Sequence, residues 1–126
     1  MANDEQVRIL KKGVKTWNAW RKKNPGVRID LRGVDLWDED LRGIDFRNAD
    51  LRRADLREAD LRQANLRGAD CWNADFREAN LIGALLSNAN FKSANLWHAD
   101  LRESDMTSTD TRDANLTGAN LSGVRK

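Results

Sequence analysis

The sequence predicts an all-β solenoid that is preceded by a helical segment. A five-residue repeat runs from Ile29 to Gly123 without insertion or deletion, which gives nineteen pentads close to Ala-Asp/Asn-Leu-Arg-x. An apolar residue holds the third place of almost every pentad, so the repeat carries a regular core position. The residues before the repeat follow a helical spacing instead. We therefore expect one repeat domain at 29–123, an N-terminal segment at 1–28 and a short tail at 124–126.

Residues 1–28 are expected to form an amphipathic helix that stops at Asn24-Pro25-Gly26. Asn3 is the predicted N-cap and Gln6 is its predicted capping-box partner. One apolar stripe repeats at steps of three and four: Val7, Leu10, Val14 and Trp17. This segment contains eight Lys and Arg but two acidic residues, so the helix could also lie on an anionic surface or bind nucleic acid. We favour a cap, because a solenoid needs a polar-backed cover over its terminal core.

The first four pentads support this choice. Ile29, Val34 and Ile44 stand where later pentads carry Ala, so they offer extra apolar surface to the stripe. Glu39 interrupts this set. We expect Glu39 at the rim, where it could accept a hydrogen bond from the indole of Trp17 or Trp20.

The period of five matches neither the helical repeat of 3.6 nor the strand repeat of 2. The backbone must therefore bend once in each pentad. Within a pentad, Ala and Leu are two residues apart, so a short extended segment points both inward and directs Asp/Asn and Arg outward.

Tandem pentads such as Ala49-Asp50-Leu51-Arg52-Arg53 and Ala59-Asp60-Leu61-Arg62-Gln63 resemble the pentapeptide repeat family. The resemblance implies a right-handed quadrilateral parallel β-helix, in which four pentads make one coil and residues twenty apart stack. Nineteen pentads would then make just under five coils. The Trp-rich segment before Asn24-Pro25 also resembles the N-terminal helical cap of small cyanobacterial members.

On this fold the third places point inward and form the structural core. They are Leu31, Leu36, Leu41, Phe46, Leu51, Leu56, Leu61, Leu66, Cys71, Phe76, Leu81, Leu86, Phe91, Leu96, Leu101, Met106, Leu116 and Leu121. Cys71 occupies a Leu place, so we interpret it as a packing residue and not as a nucleophile. A lone cysteine also favours a reducing compartment, and no apolar run approaches the ~20 residues of a membrane span. We expect a cytoplasmic protein that inserts in no membrane.

The outward Asp/Asn and Arg places form columns of opposite charge, which we interpret as a solvated salt-bridged surface and not as an ion-binding strip. Apolar residues break these columns at Trp37, Trp72, Ile82, Leu85 and Trp97. Four of them form our candidate interaction patch: Trp72, Ile82, Leu85 and Trp97. The patch favours a protein partner, since exposed aromatic residues are typical of interface centres.

The sequence predicts no catalytic, metal or cofactor site. His98 is a lone outward histidine, and no Cys/His cluster or phosphate-binding glycine loop occurs. We therefore expect a non-enzymatic scaffold or protein–protein interaction module that needs no cofactor. Self-association through the last coil, at Leu116, Leu121 and Val124, is one version of this function.

Two alternatives remain open. Some members of the family that this chain resembles mimic DNA and regulate DNA gyrase, but rows of outward Arg and a short array disfavour that function here. The basic N-terminal helix could instead bind nucleic acid or an anionic surface, which the Asp/Asn columns disfavour over most of the molecule.

Overall fold

A computed structural model describes residues 2–126 as two short helices followed by a continuous β-solenoid. Helix α1 spans Asp4–Lys11 and helix α2 spans Val14–Lys23. From Asp30 onward every repeat has the same backbone, a turn followed by one bridged residue. The solenoid therefore repeats in structure as regularly as it does in sequence.

The single helix expected over residues 3–23 is wrong, because the chain breaks between α1 and α2. Lys12 caps α1: its N–H donates to the Ile9 carbonyl at 3.1 Å, and the Gly13 N–H donates to the Leu10 carbonyl at 3.0 Å. Gly13 then adopts a φ of 110°, in a region that side-chain-bearing residues rarely enter. The apolar stripe continues across this break: Leu10 and Trp17 are buried, and Val7 and Val14 are half-buried against the same core.

Asn3 caps α1 as predicted, since its Oδ1 accepts a hydrogen bond of 3.0 Å from the Gln6 N–H. The predicted capping box does not form. The Gln6 amide is buried and turns toward the solenoid, where its Nε2 donates to the Arg28 carbonyl and its Oε1 accepts from the Asp30 N–H, both at 2.8 Å. A side chain thus supplies a partner to each of two main-chain groups where the first coil begins.

Parallel bridges join residues that are always twenty apart, from Asp30–Asp50 to Asp105–Arg125. Three main-chain hydrogen bonds per pentad connect one coil to the next. In one pentad the Leu51 N–H donates to the Asp70 carbonyl, the Arg53 N–H to the Trp72 carbonyl, and the Asp50 N–H to the Ile29 carbonyl, over 2.8–3.0 Å. Each pentad contributes a single bridged residue, so the sheet is a stack of very short rungs.

A tight turn closes each pentad. The N–H of the Ala place donates to the carbonyl of the Leu place three residues earlier, as from Ala54 to Leu51 at 3.0 Å. The last residue of the pentad has a positive φ, for example 60° at Arg53 and 68° at Gly68. This hydrogen bond with a positive φ only at the third residue is a type II turn.

The inward places are buried over most of the array. Leu31 through Leu101 are at most a few per cent exposed at every such place, and the rings of Phe76 and Phe91 lie 5.1 Å apart. Toward the C-terminal end, Met106 and Leu116 are half-buried and Leu121 is 37% exposed. The core prediction is therefore wrong for Leu121, because no coil stacks beyond it within residues 2–126.

The two helices pack against the opposite end of the solenoid. Trp17 donates its indole N–H to the Asp45 carbonyl at 2.8 Å and packs edge-on against Phe46, with ring centroids 6.0 Å apart. Arg21 donates to the carbonyls of Asp45 and Arg47, both at 2.9 Å. Contrary to our expectation, Glu39 does not accept a hydrogen bond from an indole. It forms an ion pair with Lys11 over 3.6 Å.

Candidate interaction surface

The Asp or Asn of each pentad is first a turn residue. Its Oδ1 accepts the backbone N–H two residues later, as in Arg57 N–H to Asp55 at 3.1 Å and Arg67 N–H to Asn65 at 3.2 Å. This Asx-turn explains why only Asp or Asn fills nearly every bridged place. The geometry is the same with either residue, so the carboxylate charge is not required for it.

Where Asp precedes Arg, the two side chains also form a bidentate pair. Arg57 donates to both oxygens of Asp55, at 2.9 and 2.7 Å, whereas its nearest distance to Asp75 of the next coil is 3.8 Å. Charge compensation is therefore mainly within a pentad, not between columns. The Arg42 hydrogen bonds lower the pKa of Asp40 to about 2.

The four residues of the candidate patch do not come together. The twenty-residue register assigns Trp72, Ile82, Leu85 and Trp97 to four different columns of the solenoid. Ile82 and Leu85 are half-buried. Trp72 lines a groove with Arg32 and Arg52 and stacks under the Arg53 guanidinium, 5.0 Å from its ring centre.

Trp97 belongs instead with Trp37, which we left outside the predicted patch. The two residues are sixty apart in sequence, three times the stacking register, and they share a column with Arg57 and Arg77 between them. They line a groove of about 170 Å³ whose other walls are these arginines, Glu58 and Glu78. Trp37 is 54% exposed and Trp97 is 37% exposed. We call this surface the tryptophan face and define it by Trp37, Asp38, Arg57, Glu58, Arg77, Glu78 and Trp97.

Both tryptophans are held by the repeat itself. The backbone N–H of Trp37 bonds to Asp35 and that of Trp97 bonds to Asn95, each over 3.1 Å, so both rings leave the same turn position. The Trp97 ring also meets His98 edge-on, with centroids 4.0 Å apart. The His98 ring lies over Gly118, where a Cβ atom would come within 2.8 Å of it.

The column that carries this face is the most acidic of the four. Together with the bridged residues beside it, this column contains two arginines, Arg57 and Arg77, and six carboxylates. The carboxylates belong to residues 35, 38, 55, 58, 75 and 78, so the net charge is −4. The whole repeat region has eighteen Asp and Glu against twelve Lys and Arg, a net charge of −6. Two thirds of the excess negative charge therefore lies beside the two exposed tryptophans.

The remaining chemistry-bearing groups are packed or dispersed. Cys71 is a free, buried thiol, and burial raises its pKa. Across residues 2–126, no group of three or more His, Cys, Asp or Glu side chains could hold a metal ion. Over the same residues, neither helix has the length and apolar character needed to cross a bilayer.

Known structures are similar to this solenoid. HetL, a pentapeptide repeat protein involved in heterocyst differentiation regulation in the cyanobacterium Nostoc sp. strain PCC 7120, is 35% identical with a TM-score of 0.65. The match covers 75% of this chain and 47% of HetL, so this chain spans about half the length of HetL. Rfr23 of the cyanobacterium Cyanothece 51142 is 36% identical over 75% of this chain and 60% of its own, with a TM-score of 0.60.

A third similar structure is alr5209, a pentapeptide repeat protein of Nostoc PCC 7120. It is 37% identical over 80% of this chain and 71% of its own length, with a TM-score of 0.56. A comparison with curated proteins finds no match. The family model for pentapeptide repeats in eight copies matches residues 27–63, 54–92 and 84–123. These matches span the whole repeat region, and the chain belongs to the pentapeptide repeat family.

Proposed function

We propose that this protein is a non-enzymatic interaction module, a short rigid scaffold that presents its tryptophan face to a protein partner. The observation that carries the proposal is the pair of exposed rings, Trp37 and Trp97, in one column. Neither ring belongs to the core. In contrast, most outward charged side chains are paired with an opposite charge in their own pentad. Exposed tryptophans with neighbouring arginines are typical of the centres of protein interfaces.

The scaffold that we propose is a right-handed quadrilateral β-helix of just under five coils at 29–123, capped by residues 1–28. The constant twenty-residue register supports four pentads per coil. The hydrogen bonds from Gln6, Trp17 and Arg21 to main-chain groups of residues 28–47 support the cap, because they give partners to an edge that would otherwise be open.

The test is a quantitative comparison of proteins captured from an extract of the source organism. A partner of the tryptophan face should be captured by the wild-type protein and by Trp72→Ala, and at least ~10-fold less by Trp37→Ala/Trp97→Ala, since hot-spot aromatics each contribute about 2 kcal/mol or more. Trp72→Ala is the matched control because it removes an outward indole from a different column. Equal capture by both variants would contradict the proposal.

We also infer that the last coil self-associates. A groove there is lined by Met106, Leu116 and Leu121, and these apolar side chains are less buried than their counterparts in earlier coils. Covering them with a second copy would complete the core. Sedimentation velocity should show a concentration-dependent dimer that Leu121→Asp removes, and an unchanged monomer at every concentration would exclude it.

A further inference from the structure

We propose that the tryptophan face binds an extended polypeptide segment that carries lysine or arginine side chains. The inference rests on the proposed function and specifies the chemistry of the partner. It combines the spacing of the two rings, the fixed floor between them and the unpaired acidic rim beside them.

The spacing of the rings sets the length of the segment. The distance from Trp37 to Trp97 along the solenoid is three coil-to-coil spacings. Each spacing is the ~4.8 Å between hydrogen-bonded strands, so the distance is about 14 Å. An extended chain rises ~3.4 Å per residue, so about four residues fit between the rings.

The floor of the groove is electrically compensated and is held by hydrogen bonds within each repeat. Arg57 and Arg77 form it, and each donates to both oxygens of the aspartate two residues earlier, Asp55 or Asp75, at 2.6–3.1 Å. These guanidinium groups are already occupied by carboxylates within their own repeat. The floor therefore supports a ligand without attracting an anion.

The rim supplies the charge. Asp38, Glu58 and Glu78 stack at successive steps, and none of them makes an ion pair with any residue from 2 to 126. Like charges one rung apart repel each other, so these carboxylates destabilise one another. A cation from a partner removes this repulsion.

The tryptophans favour the same sign of charge. An indole ring attracts a cation over its face, because the π system carries partial negative charge there. With a net charge of −4 in this column, nucleic acids and acidic peptides are repelled. The aromatic and acidic groups therefore both favour the same ligand, a cationic side chain on an extended backbone.

The test uses the full chain and a capped synthetic octapeptide in which lysine alternates with threonine. Isothermal titration calorimetry should detect its binding to the wild-type protein, with an affinity that falls as salt is added. Glutamate and glutamine analogues of the peptide should bind at least ~10-fold more weakly, since several cationic contacts are lost together.

Matched variants identify the surface. Trp37→Ala/Trp97→Ala and Glu58→Gln/Glu78→Gln should each raise the Kd of the lysine peptide by about 5- to 10-fold or more. Trp72→Ala and Glu103→Gln, which change the same residue types in other columns, should leave the Kd unchanged. The thermal melting of every variant is measured first, so that a loss of binding is assigned only to a folded protein.

Four outcomes overturn the proposal. The first is equal binding of the lysine peptide by the wild-type protein and both double variants, and the second is equal binding of the glutamate peptide. The third is a dimer that the tryptophan substitutions abolish but the lysine peptide does not displace, which makes a second copy the occupant. The fourth is failure of the lysine peptide to bind the wild-type protein. If the captured partner still depends on Trp37 and Trp97 in that case, the interaction function stands and only the cationic chemistry is wrong.

Discussion

At the scale of single residues, the bridged Asp or Asn of each pentad combines several roles. Its main chain joins two coils, its Oδ1 accepts the backbone N–H of the next turn, and Asp also orients the following Arg. Most outward Asp and Asn side chains thus follow from building the turn. This leaves the residues that do nothing for the turn, such as Trp37 and Trp97, as the ones that indicate function.

Ser104 is a single residue whose substitution we expect to stabilise the fold. Its hydroxyl is fully buried and finds no hydrogen-bond partner within residues 2–126, and it occupies a place where Ala84 stands one coil earlier. A buried unsatisfied hydroxyl costs about 1–3 kcal/mol, so Ser104→Ala should raise the free energy of unfolding by roughly 1 kcal/mol.

Urea denaturation measures this effect as a higher midpoint with an unchanged slope. Ser122→Ala is the control, because Ser122 is exposed and its substitution should leave the midpoint where it is. A lower midpoint for Ser104→Ala would mean that the hydroxyl has a partner in solution.

At the scale of elements, the turn tolerates backbone strain. Thirteen of the nineteen turns place a residue other than glycine at positive φ, a conformation that costs about 1–3 kcal/mol where the side chain is unfavourable. The turn hydrogen bond and the inter-coil bonds must outweigh this cost at each of them. The linker between the helices, Lys12 and Gly13, makes main-chain hydrogen bonds to the end of α1, and α2 begins without a side-chain cap. No ladder between coils supports this linker, so strain there should be measurable.

We therefore expect Gly13→Ala to destabilise the helical segment. No atom outside the neighbouring residues lies within 4 Å of a Cβ built on Gly13, so the effect should come from its φ of 110° alone. The expected loss is about 1–2 kcal/mol in the free energy of unfolding.

Gly26→Ala is a closely matched control for this substitution. Its Cβ would also meet nothing, and its φ lies outside the left-handed region, so no loss is expected. Both variants are compared by urea denaturation followed by far-ultraviolet circular dichroism. Equal stability of the two variants would show that Gly13 is not strained by a side chain.

The elements also show how far sequence reasoning reaches. The inward and outward places of the pentads could be predicted, because alternation within a short extended segment depends only on local geometry. The break at Gly13 could not, since the apolar spacing from Leu10 to Trp17 continues across it. The pairing of Trp37 with Trp97 was missed, although their spacing of sixty residues is a multiple of the stacking register and could have revealed it.

At the scale of the whole molecule, the repeated Asp–Arg pairs should govern stability in acid. Hydrogen bonds from Arg32, Arg42 and Arg112 lower the pKa of Asp30, Asp40 and Asp110 to about 2. A carboxyl whose pKa is lower in the folded state stabilises the fold above its unfolded pKa of ~3.9, and this contribution disappears as the pH falls toward 2. Stability should be nearly constant from about pH 5 to 8 and should decrease between pH 4 and 2.

The triple variant Asp30→Asn/Asp40→Asn/Asp110→Asn tests this cause. Asparagine keeps the Asx-turn acceptor, as Asn65 shows, but it carries no titratable group. Its urea midpoint should therefore fall less steeply between pH 4 and 2 than that of the wild-type protein. An identical pH dependence of the two proteins would assign acid denaturation to other groups.

The twenty-residue register also makes the solenoid a molecular ruler. A separation along its axis is counted in whole coils and is set by main-chain hydrogen bonds, whatever side chains stand on the outside. Duplication of any twenty consecutive residues between Trp37 and Trp97 would move the two rings apart by one increment of ~4.8 Å and leave their own turns unchanged. Genetic duplication can therefore adjust the reach of this surface in fixed steps while each substitution adjusts its chemistry separately.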